Sequence, residues 1–473
     1  MRIALEGLLA RLHANDTTLR SIDFTQLDIR LDDRMITSLG SAAKRNTVIS
    51  SLTFEIDCLT AEGCKRLADL LSNLKNLSSL SIMCPSHSRV ECWKNIFERL
   101  HTTSITKLYL DTTGLDRSFE QHERDAVASF FATNKSITSI EMVCYEGDAS
   151  DPDFDDEGSA SADYGVTLTD CILEGLSSNT TVKSLCLADY MYNSRGRSGL
   201  QQFLGLNEGV TTLECISDIS DMATALIDGL QYNCRPREIR ITNMSEQASA
   251  TFFSGFGTAN NVTTLEVTNC CVTGQALRPF VNGIRKNMDL RCLAMGLGED
   301  TTLSEFLMQC LAPALTNHPS LKEISIQDVD NVFDHVGATA LGDALVQNCS
   351  VEKVTLQSSE ITDNAAMFLG LRIPSIHFIK SLTLVGHLEE AGKQLMADKI
   401  RDNYSLTEVA FDPSDTASAA EQQIQRCIKR NQQIERSKRV VPVNSTFFTP
   451  YRCKKSTVVS PPRTRETLNV GFQ

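Results

Sequence analysis

Large aromatic side chains are rare in this sequence: tryptophan occurs once, at Trp93, tyrosine 8 times and phenylalanine 20 times in 473 residues. The core is therefore expected to be aliphatic. Proline is scarce too, at 12 residues, and the apolar share is an ordinary 41%. Together these exclude a mostly disordered chain. No apolar run approaches the length of a membrane span. The first residues do not read as a secretory signal, because Glu6 and Arg11 interrupt the apolar stretch. Ile3, Leu5, Leu8, Leu9 and Leu12 read instead as one face of a helix over 3–14.

Catalytic fingerprints are missing as well. There is no phosphate-cradling glycine-rich loop, no Gly-x-Ser-x-Gly elbow and no His-Glu-x-x-His pair. The 8 histidines are scattered, and none recurs beside a fixed Cys or Ser. The chain is read as a non-enzyme with no cofactor. Cysteine, by contrast, is plentiful at 16. Without a secretory route these are expected to be reduced thiols that pack as small apolar groups, in a cytoplasmic protein, with the nucleus as the other compartment considered.

The net charge of −14 is unevenly distributed. Residues 146–163 hold eight carboxylates and no base, whereas 436–473 hold eight Lys or Arg against Glu466 alone. The rest is modestly acidic, which argues against nucleic acid as a partner. No membrane partner is expected, and a monomer is.

Internal periodicity organises the rest. An Asn, then an aliphatic, two residues, an aliphatic, one residue and an aliphatic recur, as in Asn46…Ile49-x-x-Leu52-x-Phe54 and Asn134…Ile137-x-x-Ile140-x-Met142. Fourteen copies run from Leu19/Ile22/Phe24 to Leu406/Val409/Phe411. They start 26–32 residues apart, except for one interval of 45 that spans the acidic stretch and marks it as an insertion. The aliphatic-x-aliphatic step suits a strand buried on one face. Leu67/Leu70/Leu71/Leu74 and Leu277/Phe280/Val281/Ile284 follow helical spacing between strands. Each repeat is one strand and one helix, unable to bury its faces alone, so stacked copies are expected to share one core. The recurring Asn is expected to end each helix in the left-handed conformation that Asn tolerates.

This pattern resembles the ribonuclease-inhibitor-like class of leucine-rich repeats, found also in NOD-type receptors and Ran GTPase-activating proteins. The resemblance covers roughly residues 1–435 and implies an α/β horseshoe of about 14 repeats, with parallel strands on the concave side and helices outside. Residues 436–473 are then a basic, mostly disordered tail. The class carries Asn or Cys three residues after the last strand aliphatic. Here those positions hold residues such as Asp57, Met244, Gly298 and His387, with Cys270 the one match, so that ladder is mostly missing. Asn431-x-x-Ile434 opens a fifteenth strand pattern, which Ser437 and Arg439 break.

Candidates for chemistry are weak. Asp151-x-Asp153-x-Asp155 hints at a calcium loop, but Asp156 and Ala162 stand where Gly and Glu are needed. Cys84, His87 and Cys92, with Cys58, match no paired zinc spacing. No metal is expected. Sequons such as Asn134 and Asn179 fall on the repeat's own Asn and are not taken as glycosylation sites.

The binding surface follows from strand alternation, which sends the residue between the last two aliphatics to the concave face. In order these residues are Asp23, Thr53, Ser81, Tyr109, Glu141, Cys186, Glu214, Arg240, Glu266, Ala294, Ser325, Thr355, Thr383 and Ala410. Fourteen strands at about 4.8 Å give an inner arc of roughly 60 Å, suited to a protein and too open for a small substrate. The expected partner-binding residues are Tyr109, Asp111, Glu141, Glu214, Arg240 and Glu266. The leading expectation is a scaffold that holds one protein partner there. The alternatives are a regulator of a small GTPase and the sensor or inhibitor region of a larger NOD-like receptor.

Overall fold

The structure is a computed structural model that describes residues 2–27, 29–44, 46–56, 59–84, 90–101, 103–112, 120–143, 168–188, 194–216, 222–232, 235–259, 261–412 and 418–440. The acidic stretch 146–163 and the chain after 440 lie outside these residues, as do His87 and Cys58. Fourteen strands are described. They are β1 (Ser21–Asp23), β2 (Ser51–Glu55), β3 (Ser79–Met83), β4 (Lys107–Asp111), β5 (Ser139–Val143), β6 (Ser184–Ala188) and β7 (Thr212–Ile216). They continue as β8 (Glu238–Met244), β9 (Thr264–Cys270), β10 (Cys292–Leu297), β11 (Glu323–Phe333), β12 (Lys353–Ile361), β13 (Ser381–His387) and β14 (Glu408–Phe411). All lie in one sheet in chain order, every neighbour parallel. A helix follows each strand and packs on the helices of the adjacent repeats. The result is an open leucine-rich-repeat horseshoe.

The core lies between sheet and helices as one continuous cluster. The strand side is mostly aliphatic, with Phe54 and Phe333 among its exceptions, whereas the helix side gathers rings. Trp93, Phe97, Phe130 and Phe131 stack at centroid distances of 4.9–5.8 Å. Phe253, Phe280 and Phe306 form a second run through three successive repeats, at 4.7 and 5.3 Å. The scarce rings are thus concentrated where helices, spaced wider than strands, leave gaps that aliphatic side chains fill less well. Cysteine packs as predicted with one exception. Ten described cysteines are free thiols, most of them buried, whereas buried Cys64 is disulfide-bonded. The all-thiol expectation is corrected there, and the compartment expectation loses that support.

The recurring Asn does something other than expected. Asn134, Asn287 and Asn348 have φ of −63°, −76° and −92°, not the left-handed value. They are extended because their side chains bond in two directions. In Asn207, Oδ1 accepts from the backbone N–H groups of Gly209 and Val210 at 2.9 and 2.7 Å. Its Nδ2 donates to the carbonyls of Leu176 and Asn179, one repeat earlier. Asn179 does the same with Thr181, Val182, Phe131 and Asn134. Asn287, Asn348 and Asn403 repeat the arrangement. A helix leaves its last carbonyls without partners, and the next repeat's amide supplies the missing donor. Asn15, the Asn of the first copy, does take the left-handed conformation expected of it, and Asn243, Asn261, Asn269 and Asn317 take it at other positions.

His318 takes the Asn place in its repeat. Its Nδ1 faces the backbone N–H groups of Ser320 and Leu321, and its Nε2 donates to the Ile284 carbonyl at 3.0 Å. Only the neutral ring protonated at Nε2 satisfies both sides. Leu74, Ala259 and Ile376 occupy the same position without a polar side chain. A void of about 10 Å³ lies against Ile376. Elsewhere, Leu307–Leu311 forms a π turn inside the helical run 303–315. Pro313 cannot donate to that run, and the turn accommodates a repeat of 31 residues. The fifteenth strand pattern is overturned: Ala419–Val440 is one helix. Asn431 within it caps the ladder by donating to the carbonyls of Asn403 and Leu406. With a helix available to cover β14, no further strand is needed to close the core.

Two outcomes test the ladder. Replacing Asn207 with Ala strands two carbonyls and two amides in a buried site, so urea unfolding should show a loss of about 2–4 kcal/mol; an exposed control such as Ser254→Ala should change little. Burial holds His318 below its ordinary value of 6.5, so the folded state binds fewer protons than the unfolded state just below that pH. Its stabilisation is full above about pH 6.5 and declines as the pH falls towards the folded-state value. Melting curves from pH 7 down to 5 should show wild type losing more stability than His318→Asn.

Candidate functional site

The register places all fourteen predicted concave residues in one line. Ser81 pairs with Tyr109, Tyr109 with Glu141, Glu141 with Cys186, and Cys186 with Glu214. Glu214 then pairs with Arg240, Arg240 with Glu266, and Glu266 with Ala294. Alternation puts their neighbours in the core: Leu108 and Leu110 on either side of Tyr109 are buried, as are Ile140 and Met142 around Glu141. Parallel strands lie about 4.8 Å apart, so Glu141 and Glu214 stand about 10 Å apart with Cys186 between them.

Electrostatics divide this line into occupied and open charge. Arg240 is occupied: its Nη2 and Nε donate to one oxygen of Glu238, at 2.6 and 3.0 Å, and its Nε lies 3.4 Å from Glu266. The hydrogen bonds that it donates to Glu238 hold the guanidinium above its ordinary value. Arg240 and Glu266, both predicted to meet a partner, are therefore first partners of each other. Glu238 was missed because it sits two residues before the central position, in a parallel line on the same face. Its signal was the charge alternation Glu238-x-Arg240. Further along, Lys353 pairs with Glu323, and Lys322 and Lys380 share Glu352 at 2.8 and 2.6 Å. Ser381 donates to Glu408. The sheet from β11 onward is thus largely neutralised by its own side chains.

Glu141 has no such cation among the described residues, and Glu214 makes no ion pair there although it stands beside Arg240 and helps to hold that guanidinium charged. Beside them Tyr109 is half-buried, and its phenol is held above its ordinary value by burial first, then by Asp111 and Glu141. Cys186 is 8% exposed. Burial, with Glu214 and Glu141 on either side, pushes its thiol up to about 12. It is a packed thiol, far from a nucleophile. Asp111 follows Tyr109 by two residues on the same face. The open part of the site is thus Glu141 and Glu214 on β5 and β7, flanked by Tyr109 and Asp111 on β4.

Other candidates settle more simply. Cys270 is fully buried and 3.6 Å from the Ser249 hydroxyl, a packed residue with its thiol pushed up to about 12. Cys84 is buried. No group of three or more His, Cys, Asp or Glu able to hold a metal occurs among the described residues. The Asp151–Asp155 pattern lies outside them. No described helix is long and apolar enough to cross a membrane.

No family model and no curated protein matches this chain. Solved structures that resemble it include leiomodin-1 actin-binding site 2, at 15% identity over 41% of this chain and 93% of that one, with a TM-score of 0.27. The yeast Rad7 and Elc1 complex gives 16% identity over 87% and 86%, at 0.32. The TLR13–ssRNA13 complex gives 11% identity over 78% and 50%, at 0.34. These scores carry no functional argument. The class is defined by the sheet itself: a leucine-rich-repeat solenoid with its strands in chain order.

The Tyr109 environment has a direct readout. In an ultraviolet-absorbance titration, with Tyr109→Phe subtracted to isolate one phenol, Tyr109 should stay protonated above its ordinary value of 10. Glu141→Gln removes a neighbouring negative charge and should move that transition down.

Proposed function

We propose that this chain is a protein-interaction scaffold whose concave sheet holds a basic segment of a partner protein. The observation that carries the reading is the pair of open carboxylates, Glu141 and Glu214, beside half-buried Tyr109 in a line whose other charges are already paired. Desolvating an unpaired carboxylate is costly, so such a pair is best covered by cations. A half-buried tyrosine offers a rigid surface of the kind that anchors interfaces. An open sheet of this width suits a protein surface rather than an enclosed small molecule. The ribonuclease-inhibitor-like subclass is supported by one strand and one helix per repeat of 26–32 residues. Nothing in the site favours the GTPase-regulator reading or the receptor-region reading.

Affinity capture from a native lysate tests this. Wild type is set beside a variant carrying Tyr109→Ala, Glu141→Lys and Glu214→Lys, with a second bait carrying Arg240→Ala. Basic proteins should be retained by wild type, released by moderate salt and lost from the triple variant. The Arg240→Ala bait should retain them at least as well, because it frees Glu238 and Glu266. Equal retention by wild type and a folded triple variant would remove the concave face as the binding surface.

A further inference from the structure

A second charged line runs along the edge where the strands begin, one residue ahead of each strand. From β6 to β13 it reads Lys183, Thr211, Arg237, Thr263, Arg291, Lys322, Glu352 and Lys380. This line is held by main-chain bonds. The N–H of Thr211 donates to the Lys183 carbonyl, Arg237 to Thr211, Thr263 to Arg237 and Arg291 to Thr263, each at 2.8 or 2.9 Å. The Thr211 and Thr263 hydroxyls are turned onto the preceding carbonyls at 3.2 Å, so they add no charge and fix the backbone between the cations. Lys183, Arg237 and Arg291 therefore stand at intervals of two strands, about 10 Å.

Two of these cations are uncommitted. Arg237 and Arg291 are exposed and make no hydrogen bond or ion pair with any described side chain, unlike Arg240, Lys322 or Lys380. The nearest carboxylates in sequence are engaged elsewhere: Glu238 with Arg240, and Asp289 with the backbone N–H of Asn261 at 3.1 Å. Exposed Tyr232 ends the helix before β8, and exposed Met288 lies in the turn leading into β10. Each arginine fork is matched to a carboxylate, which it grips with two parallel hydrogen bonds. A chain in the polyproline II conformation advances about 3.1 Å per residue with three residues per turn, so every third residue falls on the same side about 9 Å from the last.

From this we propose that the edge at β6–β10 is a second docking surface, independent of the concave face, for an extended acidic protein segment with carboxylates at every third position. Arg237 and Arg291 each hold one carboxylate, and Lys183, whose ammonium already donates to the carbonyls of Thr180 and Gly209 at 2.6 and 3.3 Å, offers its remaining N–H to a third. The spacing selects the partner. A bilayer offers no fixed interval, and a nucleic-acid backbone places its charges more closely than the forks stand.

The test is fluorescence anisotropy at low ionic strength with two labelled decapeptides of equal charge in a Gly/Ser background. One carries Glu at positions 2, 5 and 8, the other at 4, 5 and 6. Wild type should bind the spaced peptide about tenfold more tightly, the scale of one well-made charge-assisted contact. Arg237→Ser and Arg291→Ser should each erase that preference, and so should Arg237→Lys and Arg291→Lys, which keep the charge and lose the fork. Arg285→Ser, an exposed cation off the line, should not. Equal binding of the two peptides, or a preference that survives Arg237→Ser and Arg291→Ser in protein with an unchanged melting curve, overturns the proposal. So does tighter binding to a uniform oligonucleotide or to anionic vesicles than to the spaced peptide. Failure here leaves the concave-face reading intact, because Glu141 and Glu214 take no part.

Discussion

Everything in this molecule depends on what happens to the carbonyls at the end of each helix. A strand–helix unit of about thirty residues has no means of satisfying them alone, and in a packed array they are cut off from water. The amide of the next repeat reaches back to take them, while its oxygen holds the turn that launches the next strand. One side chain therefore closes a helix, starts a strand and ties two repeats together. Since each link in Asn179, Asn207, Asn348 and Asn403 points to the unit before it, the sheet has to grow in chain order. The sheet's even register, and with it the alignment of the concave side chains, follows from that link.

A second regularity follows from the same geometry. Strands run one way and helices return the other, so all helix N-termini gather at one edge and all C-termini at the opposite edge. Acidic residues in first turns, such as Asp33, Glu62, Glu246, Asp363 and Glu390, and basic residues in last turns, such as Arg99, Arg285, Lys286, Arg372 and Lys399, each suit their local helix end. In those repeats the local preference places acidic groups towards one rim and basic groups towards the other. Arg237 and Arg291 sit on the basic side of this division, and an acidic overall charge says nothing about either rim.

Much of this was legible in the sequence. The aliphatic triplets placed every strand and fixed which residues line the concave face, because a period of two leaves little freedom once one side is buried. The Asn was visible too, but its role was misread. Sequence shows that an Asn follows a helix; it does not show that its amide faces a carbonyl some thirty residues earlier. His318 escaped notice because nothing in its neighbours marks it as an Asn substitute. The pairing of Arg240 with Glu238 and Glu266 was hidden because it crosses strands and lines, so two residues chosen for a partner turn out to hold each other. The aromatic stacks were unexpected because composition counts rings without saying that they would gather behind two groups of helices.

The breaks in the ladder have a mechanical meaning. At Ala259 and Ile376 the amide link between helix ends is missing while the strand ladder continues, and beside Ile376 the packing includes a small void. Apolar contact has no preferred direction, so on the helix side of these seams two units can roll slightly about the strand ladder that joins them. Between them, the stretch from Asn287 to Asn348 is tied repeat to repeat and should turn as a plate. The horseshoe is then a row of stiff segments with compliant joints, and its opening is adjusted at a few chosen seams rather than by even bending along the arc.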